Sequence, residues 1–293
     1  MPESNGTGIT VECVWEARTL LGEGPLWSPS RQALYAVDSK GSRILCLPVA
    51  GERQDWKMEE PCYWLVERQD GDGFIAGLKT RVVHLRLDGD RPEIVADIVR
   101  PEPQPSGNRL NDAKVDAAGR LWFGTMDEGE SDATGSFYRL DPDGTCTRMD
   151  QDYTVSNGPA FSRDGRTLYH TDSPARTIYA FDLGADGSLT NKRVHIRLGE
   201  EDGFPDGMTT DAEGGLWVAH WDGGRITRFQ PDGSPDRSIA IPASRVTSCA
   251  FGGPDMNQLY VTTAAFERLG EPQAGGLFRI NTGFAGMPAN RFG

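Results

Sequence analysis

Five residues carry most of the chemistry that this sequence can offer: Glu23, Arg109, Asn111, Asn157 and Asp206. Glu23, Asn157 and Asp206 stand in related surroundings, Gly22-Glu23-Gly24-Pro25, Asn157-Gly158-Pro159 and Pro205-Asp206-Gly207. Each is an oxygen donor next to Gly and Pro, which permit a tight entry into a strand. Carboxylate and amide oxygens brought to one point form a site for a hard cation: Ca²⁺, Mg²⁺ or Mn²⁺, with Fe²⁺ or Zn²⁺ when waters complete the shell. Without a cation, two such carboxylates repel and one pKa is driven upward. Arg109, two residues before Asn111, keeps its charge at any working pH and is a natural donor to a carbonyl or a developing oxyanion. The competing explanation is strand-end capping, a common use of Asn and Asp taken singly.

What decides between them is the element that would position these residues. A short strand recurs as Leu34-Tyr35-Ala36-Val37, Phe74-Ile75-Ala76-Gly77, Leu121-Trp122-Phe123-Gly124, Leu168-Tyr169-His170-Thr171, Leu216-Trp217-Val218-Ala219 and Leu259-Tyr260-Val261-Thr262. The mean period is about 45 residues, within the range of a propeller blade. Each copy is followed by a third strand, as at Arg43-Ile44-Leu45 or Thr177-Ile178-Tyr179, and preceded by a turn such as Asp116-Ala117-Ala118-Gly119 or Asp211-Ala212-Glu213-Gly214. With no helical periodicity, this predicts an all-β fold: a six-bladed β-propeller over residues 1–293, with residues 1–8 a frayed start and the strand near Ile9 to Val14 closing the last blade.

In a propeller the first strand of every blade lines the central channel. Stepping back ten or eleven residues from the head of each recurring strand gives Glu23, Trp64, Asn111, Asn157, Asp206 and Ser248 or Cys249. Four of these are oxygen donors at a place that otherwise favours apolar groups. Shared phase in separate repeats favours the cation site over independent caps. The loops after the second strands return to the same face: Asp38-Ser39-Lys40, Met126 to Glu130, Asp172-Ser173 and His220-Trp221-Asp222. The long loop of the third blade, through Ser131 and Thr134, is a candidate lid.

Composition removes several classes. The 293-residue chain has 37% hydrophobic residues, 36 Gly and 19 Pro. It lacks the run of about 20 apolar residues that a membrane helix needs. The start, MPESNGTG, lacks the layout of a signal peptide, so a cytoplasmic protein is expected. A net charge of −13 repels phosphate backbones, so no nucleic acid is expected; there is no basic amphipathic stretch for a membrane either. A small neutral or weakly charged molecule is the expected partner. Nothing in the sequence sets an oligomeric state. The five cysteines are scattered and contain no CxxC, which fits reduced thiols. There is no GxSxG and no HExxH, and His84, His170, His195 and His220 form no close pair. His170 reads as a strand histidine; Trp64 and Trp221 read either as pocket walls or as core.

At these residues the chain resembles the regucalcin/gluconolactonase family, also described as senescence-marker-protein and luciferin-regenerating-like. The matching segments are Leu21-Gly22-Glu23-Gly24-Pro25-Leu26-Trp27, Arg109-Leu110-Asn111-Asp112, Gly119 to Met126, Ser156-Asn157-Gly158-Pro159 and Phe204-Pro205-Asp206-Gly207-Met208. They occur in order at blade spacing, and the resemblance is strongest to bacterial aldonolactonases such as xylono- and arabinonolactonases. It implies one divalent metal held by Glu23, Asn157 and Asp206, with Asp206 also the acid/base and Arg109 and Asn111 contacting a sugar lactone. The family's acidic substrate contact after Gly-Thr-Met has no assigned counterpart here, because Asp127, Glu128 and Glu130 all lie near it. A calcium-binding or regulatory propeller without turnover is the alternative. A protein-interaction platform is a third, which predicts a surface patch rather than acidic pore residues.

Overall fold

Among the described residues of this computed structural model, which are 4–5, 9–87 and 89–293, the strands assemble into six antiparallel sheets. Blade 1 runs Gly22–Ser28, Ala33–Asp38, Arg43–Pro48 and Gln54–Lys57. Blade 2 runs Cys62–Glu67, Phe74–Leu78, Val82–Arg86 and Glu93–Val99. Blade 3 is Asn108–Val115, Leu121–Asp127, Gly135–Leu140 and Cys146–Tyr153. Blade 4 is Ser156–Phe161, Thr167–Asp172, Thr177–Leu183 and Leu189–Arg197. Blade 5 is Phe204–Thr210, Leu216–Trp221, Arg225–Phe229 and Pro235–Ala240. In blade 6, Val246–Gly252, Gln258–Thr263 and Leu277–Ile280 are completed by Ile9–Trp15 from the other end of the chain. The fold is a six-bladed β-propeller, and all six recurring strands are the second strands of blades, as the repeat requires.

Ring closure is made by Val11 opposite Ile280 and Cys13 opposite Phe278. This pairing seats the N-terminal strand in the sheet of the last blade, so backbone hydrogen bonds hold the two ends of the chain together. Of the segment 1–8 expected to be frayed, only Ser4–Asn5 is described, as a short strand opposite Ile9 and Thr10; the other six positions lie outside the described residues.

Burial falls from the axis outward. Leu121–Asp127, a second strand, is buried along nearly its whole length, whereas the outermost Glu93–Val99 is largely exposed. Adjacent blades pack through large apolar side chains. Trp64 of blade 2 meets Phe123 of blade 3, and Trp217 of blade 5 meets Phe251 of blade 6 edge-on.

Two of the first-to-second strand turns are latched by a buried aspartate. Asp116 accepts from the backbone N–H groups of Ala118 and Arg120, from Arg120 Nε and from Trp122 Nε1. Asp211 repeats this with Glu213, Gly215, Trp217 Nε1 and Arg228 Nε. One carboxylate thus closes the turn and fixes the indole that fills the space between sheets. Each satisfied acceptor removes a buried group that would otherwise cost about 1–3 kcal/mol.

The last residues cross the ring on this far face. Gly286 bridges to Asp211 in blade 5, while Phe292 N donates to Glu67 O and Gly293 N to Gly119 O. Residues 287–290 line a cavity of about 500 Å³ that enters the channel from that side and reaches Asp112 and Lys114.

Candidate active site

The innermost strand of every blade has a register irregularity at the same level of the channel. The shifts fall between Glu23 and Leu26, Cys62 and Trp64, Leu110 and Ala113, Asn157 and Ala160, Pro205 and Met208, and Val246 and Ser248. A bulge bends the strand and re-aims a side chain that regular pleating would send sideways. Here it turns Glu23, Asn111, Asn157 and Asp206 toward one another. Gly24 and Gly158, at φ of 53° and 73°, supply the left-handed conformation two of these bulges need.

Arg109 and the two amides of the site belong to a connected hydrogen-bond chain. Arg109 Nη1 donates to Asn111 Oδ1 at 2.6 Å and to Leu110 O at 3.0 Å. Asn111 Nδ2 donates to Asn157 Oδ1 at 2.7 Å and to Ser156 O at 2.8 Å. Asn157 Nδ2 continues to Ser173 Oγ at 2.9 Å, and Ser173 donates to Pro205 O at 2.6 Å. Blades 3, 4 and 5 are tied together at the pore mouth by this chain.

In the acidic part, backbone N–H groups of Gly24, Gly207 and Ala113 favour the charged forms of Glu23, Asp206 and Asp112 but do not offset burial. Burial pushes the Glu23 carboxyl well above its ordinary range, and the charges of Asp206 and Asp112 push it further. Asp206 is raised in the same way, first by burial and then by Asp112. Burial also lifts Asp112 to about 6, against the pull of Lys114. Arg109 acts on both Glu23 and Asp206 in the opposite direction, but among the described residues neither forms an ion pair. A buried carboxylate, a half-buried one and an amide oxygen, short of positive charge, are a donor set that fits a hard divalent cation. Among the described residues no three His, Cys, Asp or Glu side chains form a metal cluster by themselves.

The structure brings all five candidate residues to the same mouth and corrects two positions of the ring, in blades 2 and 6. The repeat phase selects Trp64 in blade 2, yet Trp64 is only 1% exposed and packs into the core. The bulge between Cys62 and Trp64 aims Tyr63 instead, and the Arg109 guanidinium lies 4.7 Å from the Tyr63 ring centre. In blade 6 the bulged residue is Thr247, which donates to Gly22 O, while Cys249 is buried against Trp217 O. Trp221 carries Arg245 over its ring at 4.5 Å, at the rim.

The acidic loop of blade 3 separates into three roles. Asp127 accepts from Ser131 N and Asp132 N and so closes its own turn. Glu128 pairs with Lys79 at 2.7 Å. Only Glu130 faces the site, 3.9 Å from Arg109 Nη2, and its charge reaches Asp206. Sequence reasoning also missed Ser173 as a site residue and Lys114 as a channel cation. No signal of composition marks either one, since both depend on which blades meet across the pore.

The histidines are structural. His170 is fully buried, stacked on Phe137 at 3.9 Å, with Nε2 3.0 Å from Ser156 Oγ. His220 Nδ1 donates to Asp202 O, and His84 Nε2 lies 2.7 Å from Asp72 O. All five cysteines are free. No helix among the described residues is long and apolar enough to cross a membrane.

Fold and pore together define a propeller of the kind that gathers oxygen donors at one mouth of its channel. The chain belongs to the SMP-30/gluconolactonase/LRE-like family, whose model matches residues 21–265. It is 35% identical to regucalcin of Gallus gallus over 98% of this chain and 99% of that protein. It is 36% identical to L-arabinolactonase of Azospirillum brasilense, over 94% and 93% respectively. Among solved structures, the calcium-binding protein regucalcin of Agrobacterium tumefaciens superposes with a TM-score of 0.88 at 26% identity, covering 95% of this chain and 96% of that one.

Proposed function

We propose that this protein is a metal-dependent sugar lactonase that hydrolyses an aldono-lactone of the xylono-, arabinono- or glucono- type to the aldonic acid, in cytoplasmic carbohydrate catabolism. The observation that carries this reading is the meeting of half-buried Glu23 with buried Asn157 and Asp206, two carboxylates and an amide oxygen, beside Arg109. The name of the Azospirillum relative supports the lactone substrate.

Glu23, Asn157 and Asp206 would hold one divalent cation, which when bound supplies Lewis acidity at the lactone carbonyl. Asp206 takes a proton from the attacking water as its oxygen bonds to the carbonyl carbon. When the carbon–oxygen bond of the ring breaks, Asp206 returns that proton to the departing hydroxyl. Arg109 and Asn111 orient the substrate. Arg109 is well suited because Nη1 is fixed by Leu110 and Asn111, leaving Nη2 donors for an incoming oxygen. Glu130, 3.9 Å from Arg109 Nη2, would accept from a sugar hydroxyl.

A second reading, a calcium-binding propeller without turnover, is favoured by the description of the Agrobacterium structure as a calcium-binding protein. Acid release from a panel of aldonolactones, with and without chelator, separates the two. The lactonase reading expects chelator-sensitive release above the spontaneous rate; no release from any lactone, with cation binding intact, leaves the second reading.

A further inference from the structure

Ser173 follows the second strand of blade 4 directly and is buried at the pore mouth. Its hydroxyl lies between two groups whose directions are fixed. Pro205 O, a carbonyl, can only accept, so the single Ser173 proton goes to it at 2.6 Å. What Ser173 offers Asn157 is therefore a lone pair. Only the amide nitrogen of Asn157 can meet it, at 2.9 Å.

The other end of the chain gives the same answer independently. Arg109 has donors only, so Asn111 must turn its oxygen to Arg109 and its NH₂ onward. That NH₂ has two hydrogens and two acceptors, Ser156 O and Asn157 Oδ1. Both constraints orient the Asn157 amide with nitrogen toward Ser173 and oxygen toward the mouth. A flipped amide would put N–H groups where an oxygen ligand is required, and N–H cannot ligate a cation.

We propose that Ser173 is a positioning residue for the pore cation: by committing its proton to Pro205, it sets the Asn157 amide oxygen-inward. This rests on the reading of Glu23, Asn157 and Asp206 as ligands. Groups that orient a ligand from behind commonly matter to metal affinity by 10- to 100-fold.

The test is direct titration of Ca²⁺ or Mn²⁺ into metal-stripped protein, with the melting temperature of each metal-free variant measured alongside. Ser173→Ala is expected to weaken binding by roughly 10- to 100-fold, and Ser173→Thr, which keeps the hydroxyl, to restore most of it. Ser173→Cys, close in size but a poor hydrogen-bonding partner, is expected to behave like Ser173→Ala and serves if that variant does not fold. The decisive comparison is made in an Asn157→Asp background. A carboxylate presents oxygen whichever way it turns, so there the loss caused by Ser173→Ala should shrink to within roughly 3-fold. Wild-type affinity in Ser173→Ala, or an equal loss in both backgrounds, overturns the positioning role while leaving the cation site in place. Absence of binding by the wild type overturns the cation site and this role with it.

Discussion

Lys114 Nζ, on the innermost strand of blade 3, donates to Met208 O on the innermost strand of blade 5, 2.7 Å away across the channel. The bond joins two blades that are not neighbours in the ring, just below the bulge that aims Asp206. Burial lowers the Lys114 pKa, and Asp112 opposes that shift. Lys114→Met keeps the stem but leaves Met208 O without this donor and Asp112 without its cation. The expected loss is about 1–3 kcal/mol, read as a lower urea midpoint with an unchanged slope. An unchanged midpoint would mean that the cross-channel bond contributes nothing.

Trp64 and Gly77 form a matched pair. A Cβ at Gly77 would fall within the Trp64 indole, and among the described residues Trp64 Nε1 has no hydrogen-bond partner. Gly77→Ala alone should cost about 1–3 kcal/mol through overpacking. Trp64→Phe frees the space, so the double variant should be more stable than the sum of the single losses predicts. Strict additivity in chemical denaturation would show that the two do not share the space.

Acid should destabilise the fold through His170 and His220. Burial lowers their pKa values to about 3 and about 4. The unfolded chain takes up these protons first, near pH 6.5, so this stability is complete above that pH and is lost as pH falls toward the folded values. At pH 5 the loss is about 2 kcal/mol for each histidine. The raised carboxyls of the pore change stability in the opposite sense, so the informative quantity is a difference between proteins. His170→Asn should flatten the fall in urea midpoint between pH 7.5 and pH 5. The same pH slope in wild type and variant would remove His170 from the account.

The fold was legible in the sequence because a propeller repeats itself. Leu121-Trp122 and Leu216-Trp217 announce second strands, and the Asp116 and Asp211 turns announce what precedes them. The site was legible for the same reason: identical phase in different repeats makes Glu23, Asn111, Asn157 and Asp206 converge. The reading slipped by one residue in blade 2, where a bulge faces Tyr63 rather than Trp64 toward Arg109. A one-residue bulge leaves no mark on spacing counted from the next strand. Ser173 and Lys114 were missed, and Glu130 was left undistinguished from Asp127 and Glu128, for a different reason. Their roles come from contacts between blades or from the curl of one loop, and repeat phase carries no information about either.

The most direct test of the central claim is the rate of acid release from an arabinono- or xylonolactone by metal-stripped wild type, Glu23→Gln and Asp206→Asn, each before and after a divalent cation is restored, with cation affinity measured on the same samples. The account predicts that restoring the cation revives only the wild type, and that both substitutions lose turnover and tight cation binding together. Cation-independent hydrolysis by the stripped wild type, or turnover persisting in Asp206→Asn, would contradict it.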